Sequence, residues 1–174
     1  MKNTIIILVL VFALNNGYAQ ESTKKSRREL KAEKISQQKE AVKKLVEGKS
    51  FVFDARTATS PTAGTVNITY PYSVKLNKDS IYSYLPYYGR AYSAEYGSTE
   101  SPMVFNLPVQ ELEITKNKKK GYQVNVKVKR GMDYINFNFD VSETGNTTLT
   151  VNSSNRQVIT YYGELAAKKE KDNS

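Results

Sequence analysis

From position 50 onward, apolar and polar residues change places at every second position. That period constrains the fold more than any other feature of the chain. Phe51, Phe53 and Ala55 alternate with Val52 and Asp54. Between Gly64 and Leu76, the residues Val66, Ile68, Tyr70, Tyr72, Val74 and Leu76 fall on one register. Thr65, Asn67, Thr69, Pro71, Ser73 and Lys75 fall on the other. Successive side chains of a strand point to opposite faces, so the pattern marks half-buried antiparallel strands. Pro71 has no N–H to give to a ladder, which places it at a sheet edge or at a bend.

The same alternation recurs downstream. Ser80 to Leu85 is a short strand after the Asn77-Lys78-Asp79 turn. Met103, Phe105 and Leu107 alternate between Pro102 and Pro108, and Leu112 and Ile114 share one face of Glu111 to Thr115. Tyr122, Val124, Val126 and Val128 answer Ile135, Phe137, Phe139 and Val141 across Gly131-Met132-Asp133. Glu143-Thr144-Gly145-Asn146 then leads to Thr147, Leu149 and Val151. The last strand runs from about Arg156 to Gly163. Short turns between consecutive strands make a meander, and closure removes the two exposed edges of such a sheet. The expected fold is all-β: an antiparallel up-and-down barrel or strongly curled sheet of about eight strands, lipocalin-like, preceded by one N-terminal helix. A two-sheet sandwich satisfies the same alternation.

Upstream of position 50 the chain is different in kind. Lys2 followed by an apolar run from Thr4 to Leu14, with Gly17-Tyr18-Ala19 before Gln20, reads as a secretory signal peptide over residues 1–19. The run is too short to span a bilayer, so the mature protein is expected to be soluble, exported, and periplasmic or extracellular, without a transmembrane segment. Residues 21–49 carry ten Lys/Arg against five Glu, the main share of a net charge of +9. Residues 20–34 read as a basic mobile arm. Residues 35–48 read as a helix that docks through Val42, Leu45 and Val46, which share a face, and stops at Gly48. Residues 49–163 form the β-domain and 164–174 a charged disordered tail.

Composition removes most catalytic chemistry. The chain has no His, Cys or Trp, so disulfides, thiol nucleophiles, His-based acid–base catalysis and Cys/His metal clusters are excluded. No Gly-x-Ser-x-Gly elbow or calcium-loop spacing occurs. The expectation is a protein that is not an enzyme, needs no cofactor or metal, and, being exported, does not meet nucleic acid.

Six of the thirteen Tyr lie between Asp79 and Gly97: Tyr82, Tyr84, Tyr87, Tyr88, Tyr92 and Tyr96. In one reading Tyr84, Tyr87, Tyr88, Tyr92 and Tyr96 line a mouth that stacks on a small apolar or glycan-like ligand while Arg90 fixes an anionic group. In the other the rings cover one end of the barrel, and Arg90 donates to backbone carbonyls or to Asp79. Arg156, within Asn155-Arg156-Gln157, either joins the ligand or ties the turn that opens the last strand. A third use of the loop or the basic arm is contact with an envelope surface, a cell-wall polymer or a protein partner.

The string Ser83-Tyr84-Leu85-Pro86-Tyr87-Tyr88-Gly89-Arg90-Ala91-Tyr92-Ser93-Ala94-Glu95-Tyr96-Gly97, with Asn155 to Tyr161 and Phe51-Val52-Phe53, resembles a family of exported bacterial proteins known as a domain of unknown function. The resemblance spans roughly residues 45–163. It implies a barrel of the lipocalin kind and carries no assigned catalytic or ligand-binding residues.

Overall fold

The computed structural model describes residues 26–92, 103–117 and 121–167. The signal-peptide reading, Tyr96 and most of the charged tail lie outside these residues. The chain divides into two compact units, Met1–Lys34 and Ile35–Ser174. In the first, Ser26 opens helix α1 (Arg27–Glu47), which therefore begins ahead of position 35. A capping box sets that start. The Ser26 N–H donates to the Glu29 carboxylate at 2.9 Å, and the Arg28 N–H donates to Ser26 Oγ at 3.4 Å. Residues 26–34 are exposed. No described helix is long and apolar enough to cross a membrane.

In the second unit, α1 buries Val42 and Val46 and half-buries Leu45. It ends where Lys49 takes the left-handed conformation (φ 55°). Gly48 is needed one residue earlier, because a Cβ there would press on the Lys44 carbonyl oxygen. The strands follow: β1 (Phe51–Ser60), β2 (Gly64–Asn67), β3 (Ser73–Asn77), β4 (Ser80–Tyr84), β5 (Val104–Pro108), β6 (Glu111–Lys116), β7 (Tyr122–Arg130), β8 (Asp133–Val141), β9 (Asn146–Ser153) and β10 (Arg156–Ala166). They form one antiparallel sheet in the order β5-β4-β3-β1-β10-β9-β8-β7-β6, with β2 also on β1. The sheet is a curled half-barrel.

Two of its runs are bent, and both bends explain why ten segments arise from about eight strands. The run 64–77 pairs with β1 twice, as β2 against Thr57–Ser60 and as β3 against Phe51–Asp54. Between them the Tyr72 N–H donates to the Tyr70 carbonyl at 2.8 Å, a three-residue γ-turn on Pro71. The fixed φ of proline suits that turn, and it breaks the alternation. Tyr70, which the periodicity places inward, is 57% exposed.

The second bent run is 104–116. Its first half pairs with β4 and its second half with β7. The switch takes two residues: the Val109 N–H donates to Asp79 O and the Gln110 N–H to Lys127 O, both at 2.9 Å. The two edge strands of the sheet are thus consecutive pieces of one stretch of chain, which is how the sheet limits its exposed edges.

The interior is filled. Phe51 and Phe53 on β1 meet Phe139 on β8 edge-on, with centroids 5.4 and 6.0 Å apart. Phe137 stacks beside Phe139 at 6.4 Å and receives Phe105 from β5 at 6.1 Å. Val124, Val126, Leu149, Val151 and Ile81 are fully buried around them. Each such side chain contributes about 1.5–3 kcal/mol by leaving water.

The outer face is set by the same register. One row crosses six strands as Asn125, Asn138, Thr150, Thr160, Thr59 and Thr65. The row beside it reads Gln123, Asp140, Thr148, Tyr162, Thr57 and Asn67.

Candidate functional site

The segment 85–92 leaves β4 and is fastened to the start of β10 and the β1–β2 turn. The buried Tyr161 hydroxyl donates to Pro86 O at 2.6 Å. The Tyr87 hydroxyl lies 2.8 Å from Gln157 O and 3.0 Å from Arg90 O, so its one proton is shared between two carbonyls. Ser60 Oγ donates to Tyr88 O at 2.9 Å. The main chain of Arg90 pairs with Gln157: Gln157 N–H donates to Arg90 O at 2.9 Å, and Arg90 N–H donates to Gln157 Oε1 at 3.3 Å. Thr62 Oγ1 donates to the same amide oxygen at 2.6 Å. Ala91 bridges to Arg156, and the Tyr92 N–H donates to Asn155 O at 2.8 Å. Gly89 is required here, since any Cβ would run into the Tyr87 ring.

Proton affinities follow these contacts. Burial holds the Tyr161 phenol well above the usual tyrosine range, with Tyr87 and Tyr88 adding to it. Tyr87 is also raised, chiefly by burial, against an opposing pull from Arg156. Neither ring is a ready proton donor at neutral pH; both are fixed donors to carbonyls.

Arg156 is spent on structure. Its guanidinium contacts the buried Asp133 carboxylate at 2.8 Å, with the two side chains 15% and 6% exposed. Asp133 also accepts from Ser153 Oγ at 2.8 Å and Ser154 Oγ at 2.9 Å. This knot ties the β9–β10 turn to the start of β8. Of the residues singled out in the sequence, Tyr87, Tyr88 and Arg156 therefore hold the segment in place. The Arg90 side chain and Tyr92 are exposed.

Tyr84 goes elsewhere. It lies on the outer face of β4, where it meets Tyr72 at 5.1 Å and Tyr70 at 6.1 Å, and Tyr70 and Tyr72 meet at 5.2 Å. Desolvation and the neighbouring Tyr70 phenol raise the Tyr84 pKa. Tyr82 shares that outer face, 37% exposed, with Lys75 Nζ 5.7 Å from its ring centre. The result is a four-tyrosine surface from two segments. Period-two reading missed Tyr70 because it carried it inward, and Pro71 within the run is the signal that the register breaks; Tyr72, also read inward, is half-buried against the core and touches the outer rings as well.

Two open grooves lie away from this surface. One, of about 670 Å³, runs between α1 and the ends of β9 and β10, lined by Ala41, Val42, Lys44, Leu45, Thr144 and Leu165 among others. The other, of about 440 Å³, is on the outer face beside Tyr162. No cluster of three or more metal-ligating side chains occurs among the described residues.

Fold and site together define a curled antiparallel half-barrel with a side-chain-filled interior, an N-terminal helix and an aromatic outer surface. The family model for DUF4251, a domain of unknown function, matches residues 33–165, and the chain belongs to that family. A crystal structure of a DUF4251 family protein from Bacteroides eggerthii DSM 20697 shares the fold. Its TM-score is 0.55 at 14% identity, over 75% of this chain and 87% of that one. No curated protein matches the chain.

Proposed function

We propose that this is an exported, non-catalytic binding protein that takes a small apolar or glycan-like ligand on the tyrosine surface formed by β4 and the residues that lead into β3. The observation that carries the reading is the convergence of Tyr70, Tyr72, Tyr82 and Tyr84 on the outer face of a sheet whose inner face is packed with phenylalanine. Exposed amphipathic rings present an apolar face with a polar tip, which suits sugars and lipid-like groups. Export rests on the apolar N-terminal run. The non-catalytic reading rests on the absence of His and Cys and on Asp133 being committed to Arg156.

Native mass spectrometry of protein purified from its own host tests this. A retained small ligand is expected on the mature chain and lost from a Tyr70→Ala/Tyr84→Ala double variant. Full-length protein in the cytosol, or ligand kept by the double variant, contradicts it.

A second reading is contact with an envelope protein or cell-wall polymer. It is favoured by the exposure of Tyr70 and Tyr82 on the outer face and of Tyr92 on the segment that follows β4, and by the exposed basic turns of α1 up to Lys34. Cross-linking to a macromolecular partner through Tyr82 or Tyr92, with no small ligand retained, separates it from the first.

A further inference from the structure

We infer a membrane contact: the basic side of the first turns of α1, over residues 27–34, rests on a bilayer surface that carries anionic phospholipid headgroups. This rests on the second reading of those turns and names their partner. None of the tyrosines takes part.

The charges of these turns are sorted by side. At about 3.6 residues per turn, Lys34, Arg27, Lys31 and Arg28 follow one another round one side of the helix, with Leu30 at their border. Glu29 and Glu33 stand together on the opposite side. All seven are exposed, Leu30 at 53%. The acids therefore lie away from the basic side, which presents its four cations along about 10 Å of helix.

A helix that is merely solvated interleaves its charges, because opposite charges three or four residues apart support it and like charges disfavour it. Here that rule is reversed. From Arg27 to Lys34, every charged pair at those spacings is like-charged: Arg27–Lys31, Arg28–Lys31, Lys31–Lys34 and Glu29–Glu33. Further along the chain Lys39 pairs with Glu143, Arg56 with Glu164 and Lys127 with Glu111. Arg27, Arg28, Lys31 and Lys34 enter no ion pair among the described residues. The capping box of Ser26 and Glu29 offsets the repulsion and occupies the helix end. The attraction for anions thus belongs to the side chains, and an anionic surface relieves their mutual repulsion.

Geometry and apolar content select a bilayer from among anionic partners. A small anion is held by groups that converge, whereas these four side chains fan out from a convex cylinder and meet an extended array of charge. Leu30 borders them, and the aliphatic stems of Lys and Arg add apolar surface beside it. A hydrated polyanion leaves that surface in water, while the headgroup boundary of a bilayer takes it up. Lys24 and Lys25, just ahead in the sequence, add to the positive charge.

The test is co-sedimentation of the mature chain with vesicles of equal parts phosphatidylglycerol and phosphatidylcholine, and with vesicles of phosphatidylcholine alone. Binding to the first is expected, weakening as salt is raised, with none to the second. Arg27→Gln/Lys31→Gln/Lys34→Gln is expected to bind about a hundredfold more weakly, at roughly fivefold per cation near an anionic surface. That variant sheds like-charged pairs, so its helix is no less stable and the loss is one of contact. Lys78→Gln/Lys116→Gln/Lys129→Gln removes the same charge from exposed sites on the sheet and keeps the binding. Tyr70→Ala/Tyr84→Ala keeps it too, which tells failure here from failure of the ligand reading. No binding to the anionic vesicles overturns the inference. So does an equal loss in either of the last two variants, or polyphosphate in solution bound as tightly as the vesicles.

Discussion

Tyr161 reaches through the end of the barrel to place its hydroxyl 2.6 Å from the carbonyl oxygen of Pro86, so the last strand holds the exit of β4 by one buried phenol. Removing only that oxygen isolates the bond. Tyr161→Phe is expected to cost about 1–3 kcal/mol, because the Pro86 carbonyl is left unmet. Hydrogen exchange at Tyr87 to Tyr92 should rise. A denaturant midpoint unchanged from the parent would show that the segment is held by the Gln157 contacts alone.

The Asp133–Arg156 pair gives a sharper contrast. Arg156→Met leaves a buried carboxylate without its counter-charge and should cost about 3–5 kcal/mol. Adding Asp133→Asn to that variant should recover part of the loss, since the uncompensated charge is gone. The double-mutant cycle is read by urea unfolding. If Arg156 instead served a ligand, the single variant would keep its stability and lose only binding.

Alkaline pH probes the buried phenols. Tyr161 and Tyr87 have folded-state pKa values raised above the usual value of about 10. A raised pKa means the folded state keeps its proton longer than the unfolded state. The stability these groups contribute is therefore fully present below pH 10 and is lost as pH climbs above it. Thermal melts should hold level from pH 7 to 9.5 and fall beyond. Ultraviolet titration should show Tyr161 and Tyr87 ionising only as the protein unfolds. Simultaneous ionisation of all the tyrosines in folded protein would contradict the packing around Tyr161.

Gly163 tests the outer-face geometry. Gly163→Ala drives a methyl into the Asp54 carbonyl and should destabilise by several kcal/mol, at the high end for single substitutions. Gly64→Ala, at a turn with φ 66° and open space around it, should cost only about 1 kcal/mol from backbone strain. Comparable melting temperatures for the two variants would show that β1 and β10 can separate locally.

Much of this was legible before the fold was seen. The interior positions from Tyr122 to Val151 follow their two-residue period without exception, because β7, β8 and β9 pair with one another without a register shift. The helix that buries Val42 and Val46 was legible for the same reason. Three features were not. The start of α1 depends on Ser26 and Glu29 acting as a pair, a local hydrogen-bond signal that composition conceals. The tyrosine surface depends on a turn at Pro71 that reverses the facing of Tyr70. The role of Arg156 depends on Asp133, twenty-three residues away and adjacent only once β8 and β9 have paired.

The central claim is that the interior is full and ligands meet the outer tyrosines. Aromatic and methyl NMR of the labelled protein, titrated with chitotetraose and with laurate, tests it most directly. The account predicts shifts in the rings of Tyr70, Tyr72, Tyr82 and Tyr84, with Leu149, Val151 and Phe137 unmoved. Shifts at those interior residues, as a hollow barrel would give, or no response at the four tyrosines to either probe, would contradict it.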